Sequence, residues 1–257
     1  MEKNFFEWVL FFIQGNWQQF LLGTATTLLV SLSGTIIGFF LGLGVSLIQY
    51  TKADDKSSTL FKGFIKFLKI LISIYITIFR GTPMIVQAMV IFYGLPQLIG
   101  LNLDPLPAAL LIVSINTGAY MAEMIRGGVD SVDPGQLEGA QAIGMSHFQA
   151  MISIIFPQAV RNVLPSIGNE FIINIKDTSV LNVIGVTELF FTSKSIAGSY
   201  AKYYEVFIIT SVIYLFLTFT ISLILKSIEK KIDGPKNFEI LPLQDGNNVV
   251  IKKGKGV

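Results

Sequence analysis

Long apolar segments are the feature that most restricts the folds open to this chain. Of its 257 residues, 52% are hydrophobic and only 14% are charged, whereas a soluble domain usually carries about 25% charged residues. The apolar residues fall in runs close to or above the ~20 residues that a helix needs to cross a bilayer. The sequence therefore predicts an all-α polytopic membrane protein.

The order of apolar and polar segments predicts five transmembrane helices. They are expected at about residues 20–48, 70–95, 106–126, 148–173 and 206–225. The second is broken at residues 80–83, where Thr82 is expected to cap the second half and Pro83 to begin it. Irregular backbone at membrane depth is tolerated only where it is buried or lines a polar cavity, so this break is a candidate point on a substrate path. The mixed segment 183–201 is expected to be re-entrant or interfacial at the outer face.

Basic residues predict which connections face the cytoplasm. The segment between the first two spans holds five lysines: Lys52, Lys56, Lys62, Lys66 and Lys69. Lysines are also frequent after residue 225. The N-terminus is therefore expected outside the cell and the C-terminus inside. Residues 1–230 are expected to form a single membrane domain, followed by a cytoplasmic tail at 233–257.

A short polar helix is predicted at residues 134–144, between the third and fourth spans. Asp133 suits the N-cap, Pro134 the first helical position and Gln136 the third position of a capping box, while Gly144 is placed to end the helix. The helix is too short and too polar to cross a membrane. Its small residues would let another protein approach closely, but local physics alone leaves a docking surface and a simple connection equally open.

The same helix carries a recognisable motif. Its residues Glu138-Gly139-Ala140-Gln141-Ala142-Ile143-Gly144, followed by Ile154-Ile155-Phe156-Pro157, resemble the EAA loop of bacterial ABC importer permeases. Gly139 stands at one of the alanine positions of that motif, and Phe156 stands at its leucine position.

Further motifs occur in order between about residues 20 and 225. They are Phe79–Pro83, Ala119–Gly128, Gly135–Gln136, Gly144–Ser146, Phe156–Arg161, Leu164–Pro165 and Lys176–Ser179. Together they are similar to the polar-amino-acid branch of these permeases, which serves histidine, glutamine, glutamate, arginine and opines. The resemblance implies the type I ABC importer architecture, in which the 134–144 helix couples the permease to an ATPase.

The resemblance also implies a set of partners. It implies a second permease subunit, alike or related, two ATPase subunits that bind ATP-Mg on the cytosolic face, and an extracytoplasmic amino-acid-binding protein. The chain itself has no G-x-x-x-x-G-K-[ST] phosphate loop, so we expect ATP hydrolysis in a separate subunit and neither enzyme activity nor a cofactor here. The expected location is the bacterial plasma (inner) membrane, with no nucleic-acid partner. Seven residues are expected to couple to the ATPase: Glu138, Gly139, Ala140, Gln141, Ala142, Gly144 and Met145.

Polar side chains at membrane depth are the candidate substrate ligands. Asn116, Tyr120 and Glu123 share one face of the third span, at positions i, i+4 and i+7. A carboxylate there suits an ammonium group of the substrate. The alternative is that Glu123 pairs with a buried arginine or lysine and only orders the helices.

The carboxylate of an amino acid would need donors. Arg80, the amides at the Thr82 helix start and Lys176 are the candidates. Arg80 could instead lie at the outer interface, and Lys176 could pair with Asp177 in the same or a second subunit; these alternatives stay open.

Three rival functions remain. One is an ABC permease for methionine, a polyamine or a small anion. Another is an ion-coupled secondary carrier or channel, in which a broken helix and buried charges would look similar. A membrane enzyme is disfavoured because the chain has no H-E-x-x-H motif, no cysteine and a single histidine, His147; the same lack of ligands predicts no metal site.

Overall fold

The described chain folds almost entirely into helices, as the sequence predicts. The computed structural model describes residues 3–51, 58–233, 238–240 and 251–253. The α-helices are α1 (Phe5–Tyr50), α2 (Thr59–Gly81), α3 (Met84–Ile99), α4 (Pro105–Asp130), α5 (Pro134–Ala142), α6 (His147–Ala150), α7 (Phe156–Asp177), α8 (Leu189–Tyr200) and α9 (Tyr203–Asp233). A π-helical turn, Met151–Ile155, joins α6 to α7, and a 3-10 helix, Thr178–Ile184, follows α7. In the tail, two short strands, β1 (Phe238–Ile240) and β2 (Ile251–Lys253), pair antiparallel.

Four helical segments are long and apolar enough to cross a membrane. They are Phe5–Tyr50, Pro105–Asp130, His147–Ile184 and Tyr203–Lys231. The predicted count of five is not exact, because the expected span at 70–95 is two separate helices. Of these, α2 carries three lysines and an arginine, and α3 has only 16 residues. The break between them lies where it was predicted.

Helix α1 is much longer than the predicted span at 20–48. It has 46 residues and begins at a capping box, in which Asn4 and Glu7 each accept a hydrogen bond from the other's backbone N–H. Its first turns pack against α8 and α9 through an apolar cluster that includes Phe12, Leu189 and Val206. The sequence did not predict the first turns of α1, because the residues against which they pack are far away in the chain.

A row of glycines brings α1 close to α4. Gly34, Gly38 and Gly42 are buried on one face of α1. A Cβ atom at these positions would overlap, in order, side-chain atoms of Val113, Thr117 and Met121. The row therefore allows close helix packing, as expected for small residues in membrane helices.

The fourth predicted span is a nearly continuous helical rod from His147 to Asp177. Its π-helical turn ends two residues before Pro157, whose ring removes a backbone N–H from the helix. The segment 183–201, predicted to be re-entrant or interfacial, contains α8. With 12 residues, α8 is too short to cross a bilayer.

Candidate functional site

A single glutamine holds the helix break together. The buried Gln87 donates from Nε2 to the carbonyl oxygens of Phe79 and Thr82 and to Thr82 Oγ1, each at 2.9 Å. Its Oε1 accepts a hydrogen bond from Asn116 Nδ2 at 2.8 Å. The break is therefore fastened to α4, and Asn116, a predicted substrate ligand, is bonded to Gln87 in this conformation.

The predicted cap of α3 is wrong. Pro83, not Thr82, occupies the N-cap position, and it makes no side-chain cap hydrogen bond. The Thr82 hydroxyl instead donates to the carbonyl oxygen of Ile78 at 2.8 Å. Thr82 is the C-cap of α2, because its hydroxyl bonds back onto the helix that it ends.

Glu123 is paired with two arginines. Two nitrogens of the Arg126 guanidinium donate to its carboxylate: Nε donates to Oε1 at 3.2 Å and Nη2 donates to Oε2 at 2.8 Å. Arg80 Nη1 lies 3.1 Å from Oε2, and its guanidinium stands 5.6 Å from the centre of the Tyr120 ring. Of the two possibilities that the sequence left open for Glu123, the pairing with arginine is present in this structure.

The ion pairs continue towards the end of α4. Arg126 Nη1 lies 3.6 Å from Asp130 Oδ2. The hydroxyl of Tyr50, the last residue of α1, donates to Asp130 Oδ1 at 2.8 Å. We call the series Arg80, Glu123, Arg126 and Asp130 the charged ladder. It connects the end of α2 with the end of α4, three residues before the N-cap of α5.

A polar cavity of about 220 Å³ adjoins the ladder. It is lined by Gln49, Ser73, Ile76, Thr77, Arg80 and Glu123. This volume has room for several water molecules at about 30 Å³ each, or for a small polar solute. The Oε1 atom of Gln49 is buried and has no hydrogen-bond partner in the described part of the chain. A buried acceptor without a partner is costly.

Lys176 and Asp177 lie apart from this cluster. Both are exposed at the end of α7. Within the described residues they form no ion pair with each other or with the charged ladder. The buried Asn174 of the same turn bonds instead to the hydroxyls of Thr35 and Thr117, at 2.8 and 3.0 Å.

Helix α5 begins at the predicted residues. Asp133 is the N-cap, and its Oδ1 accepts from the N–H of Gly135 at 2.7 Å, with Pro134 at the first position. The predicted capping box is wrong, because the Gln136 side chain turns to Gln158 of α7 and accepts a hydrogen bond at 3.4 Å.

The end of α5 is set by Gly144. Its φ is +88°, a left-handed conformation that glycine adopts without strain. The N–H groups of Gly144 and Met145 donate to the carbonyl oxygens of Gln141 and Ala140, at 3.0 and 3.1 Å. This pattern is a Schellman motif, which satisfies the last carbonyls of the helix.

Most of α5 is open to the surroundings. Glu138, Gly139, Gln141, Ala142 and Gly144 are exposed. A Cβ atom at either glycine would meet nothing within 4 Å. Ala140, in contrast, is only 3% exposed, so it packs α5 onto its own chain. The exposed surface of the helix thus combines small residues with the polar side chains of Glu138 and Gln141.

Comparison with known proteins bears on what this arrangement is for. The model of the family described as "Binding-protein-dependent transport system inner membrane component" matches residues 59–234, more than half of the chain. The chain belongs to this family.

Individual relatives of this permease cover most of its length. It is 35% identical to the arginine transport system permease protein ArtQ of Bacillus subtilis (strain 168), over 82% of this chain and 90% of ArtQ. It is 40% identical to the glutamine transport system permease protein GlnP of Escherichia coli (strain K12), over 62% and 73% of the two chains.

Solved structures share the fold of the permease. A crystal structure of an amino acid ABC transporter with histidines superposes with a TM-score of 0.76 at 35% identity, covering 90% of this chain and 100% of that one. The inward-facing methionine transporter MetNI, at 17% identity and a TM-score of 0.69, supports the fold alone. The fold is that of the type I ABC importer permeases. A membrane enzyme and a secondary carrier are therefore disfavoured.

Sequence analysis missed the two glutamines of this permease that shape the site. Gln87 and Gln49 are single polar residues near or within apolar runs, and such residues also occur as simple contacts between helices. For Gln87, a polar side chain among apolar residues was the available signal. Which groups the two glutamines meet depends on how α1, α2 and α4 come together.

Proposed function

We propose that this permease is the membrane subunit of an ATP-driven importer for a polar amino acid. The observation that carries the proposal is the likeness, at 35% identity and over the whole of the matched chain, to an amino acid ABC transporter. Relatives named for arginine, glutamine and nopaline transport agree with the same class of substrate.

Helix α5 is the proposed docking element for a separate ATPase. Its exposed Glu138 and Gln141 supply polar contacts, and the open positions at Gly139 and Gly144 allow close approach. The complete importer would contain two such ATPases, each binding ATP-Mg, a second permease subunit and an external binding protein. Closure of the ATPase pair would move α5 and switch the side to which the pathway opens.

The proposed orientation has the N-terminus outside and the C-terminus in the cytoplasm. The contact between Tyr50 and Asp130 supports it, because the ends of α1 and α4 then lie at one membrane surface, beside α5. Lys62, Lys66 and Lys69 follow shortly after α1 on the same side. Lysine-rich connections favour the cytoplasmic side.

The substrate is proposed to pass the cavity beside the charged ladder. Arg80 is 42% exposed and meets Glu123 through one nitrogen, so other N–H donors of its guanidinium are left for a carboxylate. Glu123 would hold Arg80 in place, with Asn116, Tyr120 and Thr82 nearby. Lys176 and Asp177 lie apart and would act, if at all, in another state or at a subunit interface.

Co-purification tests this function. The chain is captured from membranes in mild detergent, and the proteins bound to it are identified by mass spectrometry. We expect an ABC ATPase and an external binding protein, whose tightly bound ligand would name the amino acid. Methionine, a polyamine or an inorganic anion as that ligand would contradict the substrate class. Intact chain without any ATPase, also after crosslinking, would contradict the importer itself.

A further inference from the structure

The first half of α2, residues 59–69, is amphipathic. Leu60 is 86% exposed, and Phe64 and Phe67 are each 56% exposed. On a helix with 3.6 residues per turn these three side chains share one side, and Lys66 and Lys69 lie on another. Exposed apolar residues on one side of a helix and lysines on the other are typical of a helix at the surface of a membrane.

The apolar side of this segment continues along the rest of the helix. Leu71, Ile74 and Ile78 are exposed by 46%, 49% and 51%, and spacings of three and four residues place them in line with Phe64 and Phe67. The row contains no polar residue. Because one helix carries both groups, the exposed apolar surface runs without a break from the apolar half of α2 to its first turn.

An open trough lies along the first turns of α2. Its volume is about 1070 Å³. Four large apolar side chains line it: Leu60, Phe61, Phe64 and Phe67. Gly63 also lines it, and so do Ser58 and Thr59, whose hydroxyl groups can donate hydrogen bonds. The trough thus places an apolar surface next to hydroxyl donors, a combination that fits an acyl chain and its headgroup.

The lysines of this segment are not neutralised by α2 itself, because α2 contains no aspartate or glutamate. Lys66 is exposed and Lys69 is partly exposed. Neither forms an ion pair within the residues that the structure describes. A lysine at the bilayer surface attracts anionic headgroups, and its apolar stem lets the ammonium group reach the headgroups from a helix that contacts acyl chains.

We propose that residues 58–69 form a binding site for an anionic phospholipid, at the membrane surface where α1 and α4 end. Acyl chains pack on Leu60, Phe64 and Phe67, and Lys66 and Lys69 hold the phosphate of the headgroup. Lipid is the occupant, rather than another protein, because the trough continues into the unbroken apolar row of α2. The site does not depend on which solute the permease carries.

Quenching by labelled lipids tests the site. The chain has no cysteine, so Gly63→Cys adds a single thiol, one turn before Lys66, for a fluorophore; a Cβ atom there meets nothing within 4 Å. The permease, with the partners that co-purify, is placed in nanodiscs of phosphatidylcholine and phosphatidylglycerol. In each of two samples, one of these lipids carries a nitroxide quencher, at equal mole fraction. Phe219→Cys, at an exposed position of α9, reports the bulk lipid.

We expect phosphatidylglycerol to quench the label at Gly63→Cys about fivefold more than phosphatidylcholine, the preference that one lysine at a bilayer surface provides. At Phe219→Cys the two lipids should quench alike. The double variant Lys66→Gln with Lys69→Gln should lose the preference, and Lys66→Arg with Lys69→Arg, which keeps the charge, should retain it. Lys226→Gln with Lys230→Gln, a matched change of two exposed lysines of α9, should also retain it.

Three results would overturn the site. Equal quenching by both lipids at Gly63→Cys would show that charge does not select the lipid there. Loss of the preference in both glutamine double variants would reduce it to the general positive charge of this membrane surface. Absence of quenching by either lipid would show that protein covers the trough. Thermal unfolding of each variant reports whether it has folded, and the test needs neither ATP nor uptake, so its failure would leave the proposed function untouched.

Discussion

Gln87 joins three parts of the molecule at one point. Its side chain bonds to the end of α2, to Thr82 in the break and to Asn116 in α4. The break itself was predictable, because Gly81 and Pro83 interrupt a helix by local rules. The role of Gln87 was not, because its partners lie eight residues earlier and 29 residues later in the chain.

We expect Gln87→Leu to destabilise the permease. The change leaves the Asn116 amide and the carbonyl oxygens of Phe79 and Thr82 without this partner, and each unsatisfied buried group costs about 1–3 kcal/mol. Thermal unfolding of the detergent-solubilised protein should show a clear fall in Tm. The neighbouring Val86→Leu is the control, since Val86 is exposed; equal Tm values for both variants would contradict the role of Gln87.

Glu123 offers a second test at the scale of one residue. Glu123→Gln removes the charge that neutralises Arg80 and Arg126, and so releases the guanidinium that is proposed to meet the substrate. We expect impaired uptake at subsaturating substrate with normal recovery of the ATPase. Glu229→Gln, near the end of α9, should leave uptake unchanged. Normal uptake by Glu123→Gln would remove Glu123 from the site.

Helix ends were predicted well only where they depend on nearby residues. The Asp133 cap of α5, for example, is set by the N–H of Gly135, two residues away. The start of α1 depends instead on packing against α8 and α9. Gln136 lost its expected role in a capping box because a residue of α7 competes for its side chain.

Helix α5 can be tested through its two exposed glycines. Gly144→Val places a branched side chain at φ +88°, which costs about 1–3 kcal/mol of strain and should unwind the end of the docking helix. Gly139→Ala puts the alanine of the motif at an open helical position and should be tolerated. We expect Gly144→Val to insert normally but to retain much less ATPase on purification. Full ATPase recovery and transport by this variant would contradict docking through α5.

The contact between α1 and α4 can be tested in the same way. Gly38→Val would force a side chain into Thr117, and overpacking of this kind costs about 1–3 kcal/mol. Gly44→Ala is the control, because a Cβ atom there meets nothing within 4 Å. A lower Tm is expected for Gly38→Val alone. Similar unfolding temperatures for the two variants would show that the glycine row does not set the packing of these helices.

In the whole molecule, α4 connects the two functional regions. It is the most buried of the four spanning helices. Near its middle, Asn116 holds the helix break, and at its end the charged ladder reaches Asp130, just before α5. A movement of α5 would therefore be transmitted to the cavity through α4 and its ion pairs.

The sequence predicted more of the overall architecture than of the site. Apolar runs, lysine distribution and the motif at 138–144 predicted the membrane class and the short polar helix. Spacing alone could not predict that two arginines pair with Glu123. Arg80 is 43 residues away in the sequence and reaches Glu123 only after α2 has packed against α4.

Reconstituted transport tests the central claim most directly. The purified complex is placed in proteoliposomes with ATP inside the vesicles, and the amino acid carried by the binding protein is supplied outside. The account predicts uptake that requires hydrolysable ATP in the lumen, persists when ionophores collapse all ion gradients, and is lost with Glu123→Gln. Uptake without ATP that follows an imposed ion gradient would contradict it.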